Sequence, residues 1–167
     1  MEEIGLDIRS EIKLVVDYAK PLEQFIADGK YDFVGDLITD KNFPAPPKLV
    51  GQKLELLAKL FHFDNHISSE DIIFEMNKAG YRPANLLELL VVGFLYPDLQ
   101  RQFSIYALGS IVLTNGNLTE FGDYRPQACH YRFVPCLFLD MFSKRRLCVG
   151  SFDNSSSAKS LYLGILK

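Results

Sequence analysis

The apolar residues of this chain change their period near Phe103. Before that point they recur at three- and four-residue spacing with charged residues between them; after it they come in short runs separated by turn residues. Helical spacing followed by strand-like runs is the order of an α+β domain. A chain of 167 residues can bury a core that needs neither a metal nor a disulfide to hold it. The expectation is a single α+β domain over 1–167, with a helical N-terminal segment over 1–46 and a mixed segment over 48–167. Its N-terminal helices would pack on one face of a C-terminal antiparallel sheet of about four or five strands.

Element by element, Ile4, Ile8, Ile12, Val15 and Val16 predict one amphipathic helix over 4–16. Pro21 suits the first turn of a second helix over 22–27, which Gly29 ends. Residues 31–39 read as a third, with Phe33, Val34, Leu37 and Ile38 inward. Pro44, Pro46 and Pro47 make 42–47 a stiff connector. Strict alternation of Leu54, Leu56, Ala58 and Leu60 with Lys53, Glu55 and Lys59 favours a strand over 53–63. Ser68 is an N-cap for a helix that Gly80 terminates, and Asn85 precedes a very apolar helix that runs to about Tyr96. Residues 104–114 read as a strand with Gly109 as an irregularity, 131–139 and 145–152 as a hairpin around Ser143 and Lys144, and 161–166 as a last strand.

Several function classes fall away. The most apolar run, 86–95, contains Glu88 and is far shorter than the roughly 20 residues of a bilayer span. No basic and apolar leader precedes it, so a cytoplasmic protein without membrane attachment is expected. The cysteines at 129, 136 and 148 include no C-x-x-C knuckle, and reduced thiols are expected. Neither a G-x-x-x-x-G-K nor a G-x-G-x-x-G is present, so phosphate-cradling nucleotide chemistry is disfavoured. The helix pair around Gly80–Ala84 is no DNA reader, because its second helix lacks groups that reach base edges or phosphates.

Two clusters carry some chemistry. His62 and His66 have the i, i+4 spacing of a helical metal pair, but on a strand and loop they share no helical face and have no third ligand nearby. Cys129 and His130 invite a cysteine hydrolase, yet neighbours on a strand point to opposite faces, so either would need His62 or His66 brought close in space. Charge is also uneven: residues 1–99 hold 10 basic and 17 acidic groups, and 100–167 hold 8 basic and 4 acidic. Arg125, Tyr131, Arg132, Lys144, Arg145 and Arg146 make the basic half a candidate binding surface, able to touch phosphates and stack on a base.

Asp17-Tyr18-Ala19-Lys20, Ile26-Ala27-Asp28-Gly29-Lys30-Tyr31-Asp32, Ser68-Ser69-Glu70 and Gly80-Tyr81-Arg82-Pro83-Ala84 are similar to stretches of a group of small bacterial proteins of unknown function. So, above all, are Tyr96-Pro97-Asp98-Leu99-Gln100-Arg101-Gln102-Phe103 and Ala107-Leu108-Gly109-Ser110. The resemblance covers about 17–167, leaves 1–16 as an added helix, and implies a bacterial, cytosolic, single-domain protein. It carries no activity. Residues and resemblance together point to a non-enzymatic interaction or assembly module that needs no cofactor. Its partner would be another protein or a second copy in a homodimer, contacted along an edge strand. The alternatives are a small hydrolase or nuclease-like enzyme using the Cys and His residues, and nucleic-acid binding by the basic sheet.

Overall fold

The expected order, helices first and an antiparallel sheet after, does not hold. A computed structural model of the chain describes residues 10–118, 124–153 and 157–167, with side chains described for all of these but 115–118 and 124–130. Its first described element is a strand, β1 (Ile12–Asp17), followed by α1 (Leu22–Gly29), β2 (Phe33–Val34) and β3 (Lys53–His62). Next come α2 (Ser69–Lys78), β4 (Tyr81–Pro83), α3 (Leu86–Leu95) and a 3-10 turn (Leu99–Arg101). The chain then continues through β5 (Ser104–Tyr106), β6 (Val112–Leu118), β7 (Tyr124–Leu139), β8 (Arg145–Ser151) and β9 (Ser160–Leu166). The strands form one sheet in the order β1-β3-β9-β5-β7-β8-β2, with β4 also on β9 and β6 also on β7. It is mixed rather than antiparallel, because β2 runs parallel to β8 and β5 parallel to β9.

The strand over 12–17 replaces most of the described part of the expected first helix. Ile12, Leu14 and Val16 are buried while Lys13 and Val15 are exposed, a period of two that the helical spacing of Ile4 and Ile8 obscures in the sequence. The third expected helix is also absent: Phe33 and Val34 add a short strand to β8, and the following residues form turns. The single strand expected over 104–114 is two, β5 and β6. Gly109 sits at the break, where its N–H donates to Ala84 O at 2.8 Å and a Cβ would stand 2.6 Å from that same oxygen. The second helix, the strand at 53, the helices at 69 and 86 and the last strand stand where the spacing predicts them, within a few residues; the hairpin stands there too, but its first strand, expected from 131, begins at 124.

Helices cover both faces of the sheet, again unlike the expected single-face packing. On one face α1 and α3 pack on Leu14, Val16, Leu60, Ile105, Leu137, Leu147, Leu161 and Leu163. On the other, Ile72 and Met76 of α2 pack on Tyr81, Val134, Phe152 and Tyr162. Each buried large aliphatic side chain contributes about 1.5–3 kcal/mol, so both layers hold the sheet.

The motifs of the resemblance serve this frame. Asn85 caps α3 in a reciprocal capping box with Glu88, and Ser110 Oγ accepts the N–H of Leu86 at 2.9 Å. Glu88 is 0 % exposed; its carboxylate accepts from Tyr18 Oη at 2.7 Å, from Arg82 at 2.7 and 3.1 Å, and from the N–H of Asn85 at 2.8 Å. A buried carboxylate that is fully bonded holds its neighbours in one arrangement, and removal of any partner leaves a charge stranded. Burial, reinforced by the Glu88 charge, pushes the Tyr18 hydroxyl far above the ordinary tyrosine range.

Candidate functional site

The face covered by α2 is only partly covered. Alternation along β7 puts Val134, Cys136 and Phe138 on it, and the register pairs Cys136 with Cys148 and Phe138 with Arg146. Arg146 in turn is the register partner of Phe33 on β2. Phe138, Arg146 and Phe33 therefore form a row across three strands, none of them buried. The Arg146 guanidinium lies 4.6 Å from the Phe33 ring centre, a cation–π contact, and its Nε donates to Asp140 Oδ2 at 2.6 Å.

Asp140 organises the hairpin tip beyond that row. Its Oδ1 accepts the N–H groups of Phe142 and Lys144, each at 2.9 Å, while its own N–H donates to Lys144 O at 3.0 Å. Ser143 closes the loop with φ 58°, the left-handed conformation that a three-residue hairpin turn requires. The Lys144 N–H, helped by Arg146 and Phe142, holds the Asp140 carboxyl below its ordinary pKa. This rigid loop displays Met141, 88 % exposed, and Phe142, 74 % exposed, with Lys144 also in solvent. Two large apolar side chains held out on a fixed turn, next to a partly open aromatic and arginine row, define the candidate surface.

Of the six residues of the expected basic surface, the five whose side chains are described do not lie together. Lys144 and Arg146 belong to this hairpin end. Arg145, their neighbour, points the opposite way and is 7 % exposed. It donates from Nη1 to Gly29 O at 2.7 Å, from Nη2 to Gly93 O at 3.1 Å and from Nε to Gln100 Oε1 at 3.2 Å. Its guanidinium also lies 5.0 Å from the Tyr31 ring centre. Gln100 donates to Phe138 O and Arg146 O, so the pair ties α1, α3 and the 3-10 turn to the sheet. Arg132 is bonded to Glu70 of α2 and to Asp153, and packs on the Phe152 ring. Tyr131 is partly buried on β7. The Arg125 side chain, and those of Cys129 and His130, lie outside the described residues.

His62 ends β3, where its Nε2 lies 2.7 Å from Ala158 O and its Nδ1 3.6 Å from Asp64. His66 is exposed in the loop before α2. Among the described residues no group of three or more His, Cys, Asp or Glu is placed to hold a metal ion, and no helix is long and apolar enough to cross a membrane. Phe138, Asp140 and Met141 carry no site expectation from the sequence, and Phe33, expected inward on a helix, is instead 44 % exposed on β2. One signal was available: Asp140 three residues before Ser143 marks an Asx-type turn, and Met141-Phe142 inside it is an apolar pair where polar residues are the rule. Comparison of the chain with protein-family models, with curated proteins and with solved structures finds no match.

Proposed function

We propose that the protein is a non-enzymatic recognition module, of the bacterial cytosolic kind the resemblance implies, that binds another protein through the hairpin end of its sheet. The observation that carries this reading is the exposure of Met141 and Phe142 on a turn fixed by five hydrogen bonds of Asp140. Exposed apolar side chains on a soluble surface mark contact sites when they are grouped and held. A preformed loop also loses little conformational entropy when it binds. Around these anchors Lys144 and the Arg146–Asp140 pair supply a polar rim, the usual anatomy of an interface. The outer strand β1 suits an edge contact less, because Lys13 puts an exposed charge on it.

The arrangement favours a protein over a nucleic acid. Arg145 is buried, and Arg132 and Arg146 are each paired with a carboxylate of the same chain, which leaves less positive charge for phosphates. The test is retention of partners from an extract of the cells the chain comes from, on the tagged full chain and on the M141S/F142S double variant. Truncating one interface anchor costs about 2 kcal/mol or more, so specific partners fall roughly tenfold or further on the double variant. Equal retention by both proteins would refute the reading.

A further inference from the structure

Cys136 and Cys148 are register partners on adjacent antiparallel strands and face the same side of the sheet. The N–H of Phe152 donates to Arg132 O and that of Asp140 to Lys144 O, so alternate pairs in this register, 136 with 148 among them, are hydrogen-bonded pairs. Such pairs have Cα atoms about 5.5 Å apart, inside the roughly 4.4–6.8 Å that a disulfide spans. We infer that these two thiols form a reversible disulfide across β7 and β8 when the protein meets a hydroperoxide.

The two sulfurs are not equivalent. Cys136 is 4 % exposed, packed in the row with Tyr106 of β5, and burial drives its thiol well above the ordinary range. Cys148 is half-buried at the flank that faces Gly35. Burial raises its thiol too, while the Arg146 charge and the Gly35 N–H pull it down. On balance its thiol still stands above the ordinary range, but because Cys148 is less buried than Cys136 and those two groups oppose the rise, it is the sulfur an oxidant reaches first. Its thiolate attacks one peroxide oxygen; the O–O bond breaks, and with one proton water leaves and Cys148 becomes a sulfenic acid. The Cys136 sulfur then displaces that hydroxyl, which departs with the Cys136 proton as a second water. In total two thiols and one hydrogen peroxide give one disulfide and two waters. The bond has to draw the two Cβ atoms together within a regular ladder, and strained disulfides are the readily reduced ones. Reversal by a dithiol follows.

The test uses the full native chain, because cleavage after Lys and Arg puts the three cysteines in separate peptides: Cys136 in 133–144, Cys148 in 147–159, and Cys129 upstream of both. The protein is treated with hydrogen peroxide, quenched with catalase, blocked folded with N-ethylmaleimide, digested and weighed. The expected product joins 133–144 to 147–159 and separates on reduction. In C136S, dimedone is expected to label Cys148; the wild-type digest decides by itself if that variant does not fold. Peptides that stay unlinked, or a link that involves Cys129, would overturn the inference.

Discussion

Arg145→Ala separates a structural arginine from a surface one by a wide margin. The substitution removes a guanidinium that donates to Gly29 O, Gly93 O and Gln100 Oε1 at 2.7–3.2 Å, and it leaves those acceptors in a site that is 7 % exposed. A hydrogen bond from a charged donor contributes about 1.5–3 kcal/mol. Three that share one group do not add fully, which gives a loss of about 4 kcal/mol. With a urea slope of about 2 kcal/mol per molar for a domain of this size, the unfolding midpoint falls by roughly 2 M at unchanged slope. Lys144→Ala, one residue earlier and exposed, stays within the roughly 0.5 kcal/mol of ordinary surface changes, or about 0.25 M. The assay is urea unfolding followed by circular dichroism for both variants. Arg145→Lys should recover only part of the loss, because an ammonium cannot reproduce the planar fork. A midpoint shift below about 0.5 M for Arg145→Ala would show that this arginine does not tie the helices to the sheet.

Three further outcomes are expected. Glu88→Ala strands Arg82 and Tyr18, partners of a fully buried carboxylate; breaking such a pair costs about 3–5 kcal/mol, and calorimetry that found less than about 1 kcal/mol would contradict the network. The Tyr31 hydroxyl has no hydrogen-bond partner among the described residues and lies where a Cβ on Gly93 would go. Gly93→Ala is therefore destabilising by about 1–3 kcal/mol and Tyr31→Phe restores part of the loss; a double-mutant cycle with no coupling would exclude that contact. Because the folded Asp140 carboxyl titrates below its unfolded value of about 3.9, its stabilisation of the hairpin is complete above that pH and is lost as pH falls through the lower folded value. Amide exchange at Phe142 and Lys144 should accordingly be faster in Asp140→Asn than in wild type at neutral pH, with the difference closing in acid; a pH-independent difference would refute the role of the charge.

What was legible in the sequence depended on how local the signal was. The caps at Ser68 and Asn85, the alternation over 53–62 and the hairpin around Ser143 are decided by residues within a few positions of one another, and each element stands there. Strand β1 was not legible, since Ile12 and Val16 fit a helix and a strand equally well and only pairing with β3 settles the choice. Gly109 marks a break rather than a bulge because of a backbone oxygen 25 positions earlier, a distance no local pattern conveys. The binding surface fared likewise: a run of Lys144, Arg145 and Arg146 reads as one basic patch, yet alternation on a strand sends Arg145 and Arg146 to opposite faces. That signal was present in the sequence; the partners waiting for Arg145 under α1 and α3 were not.

Site-specific photo-crosslinking bears most directly on the reading of the hairpin end as the contact surface. A benzophenone amino acid is placed at 142 in one protein and at the exposed 23 of α1 in another, both are expressed in the native cells, and the adducts are compared by mass. A discrete adduct with another protein is expected from 142, and none of that identity from 23. The same adducts from both positions, or none from 142, would contradict that reading.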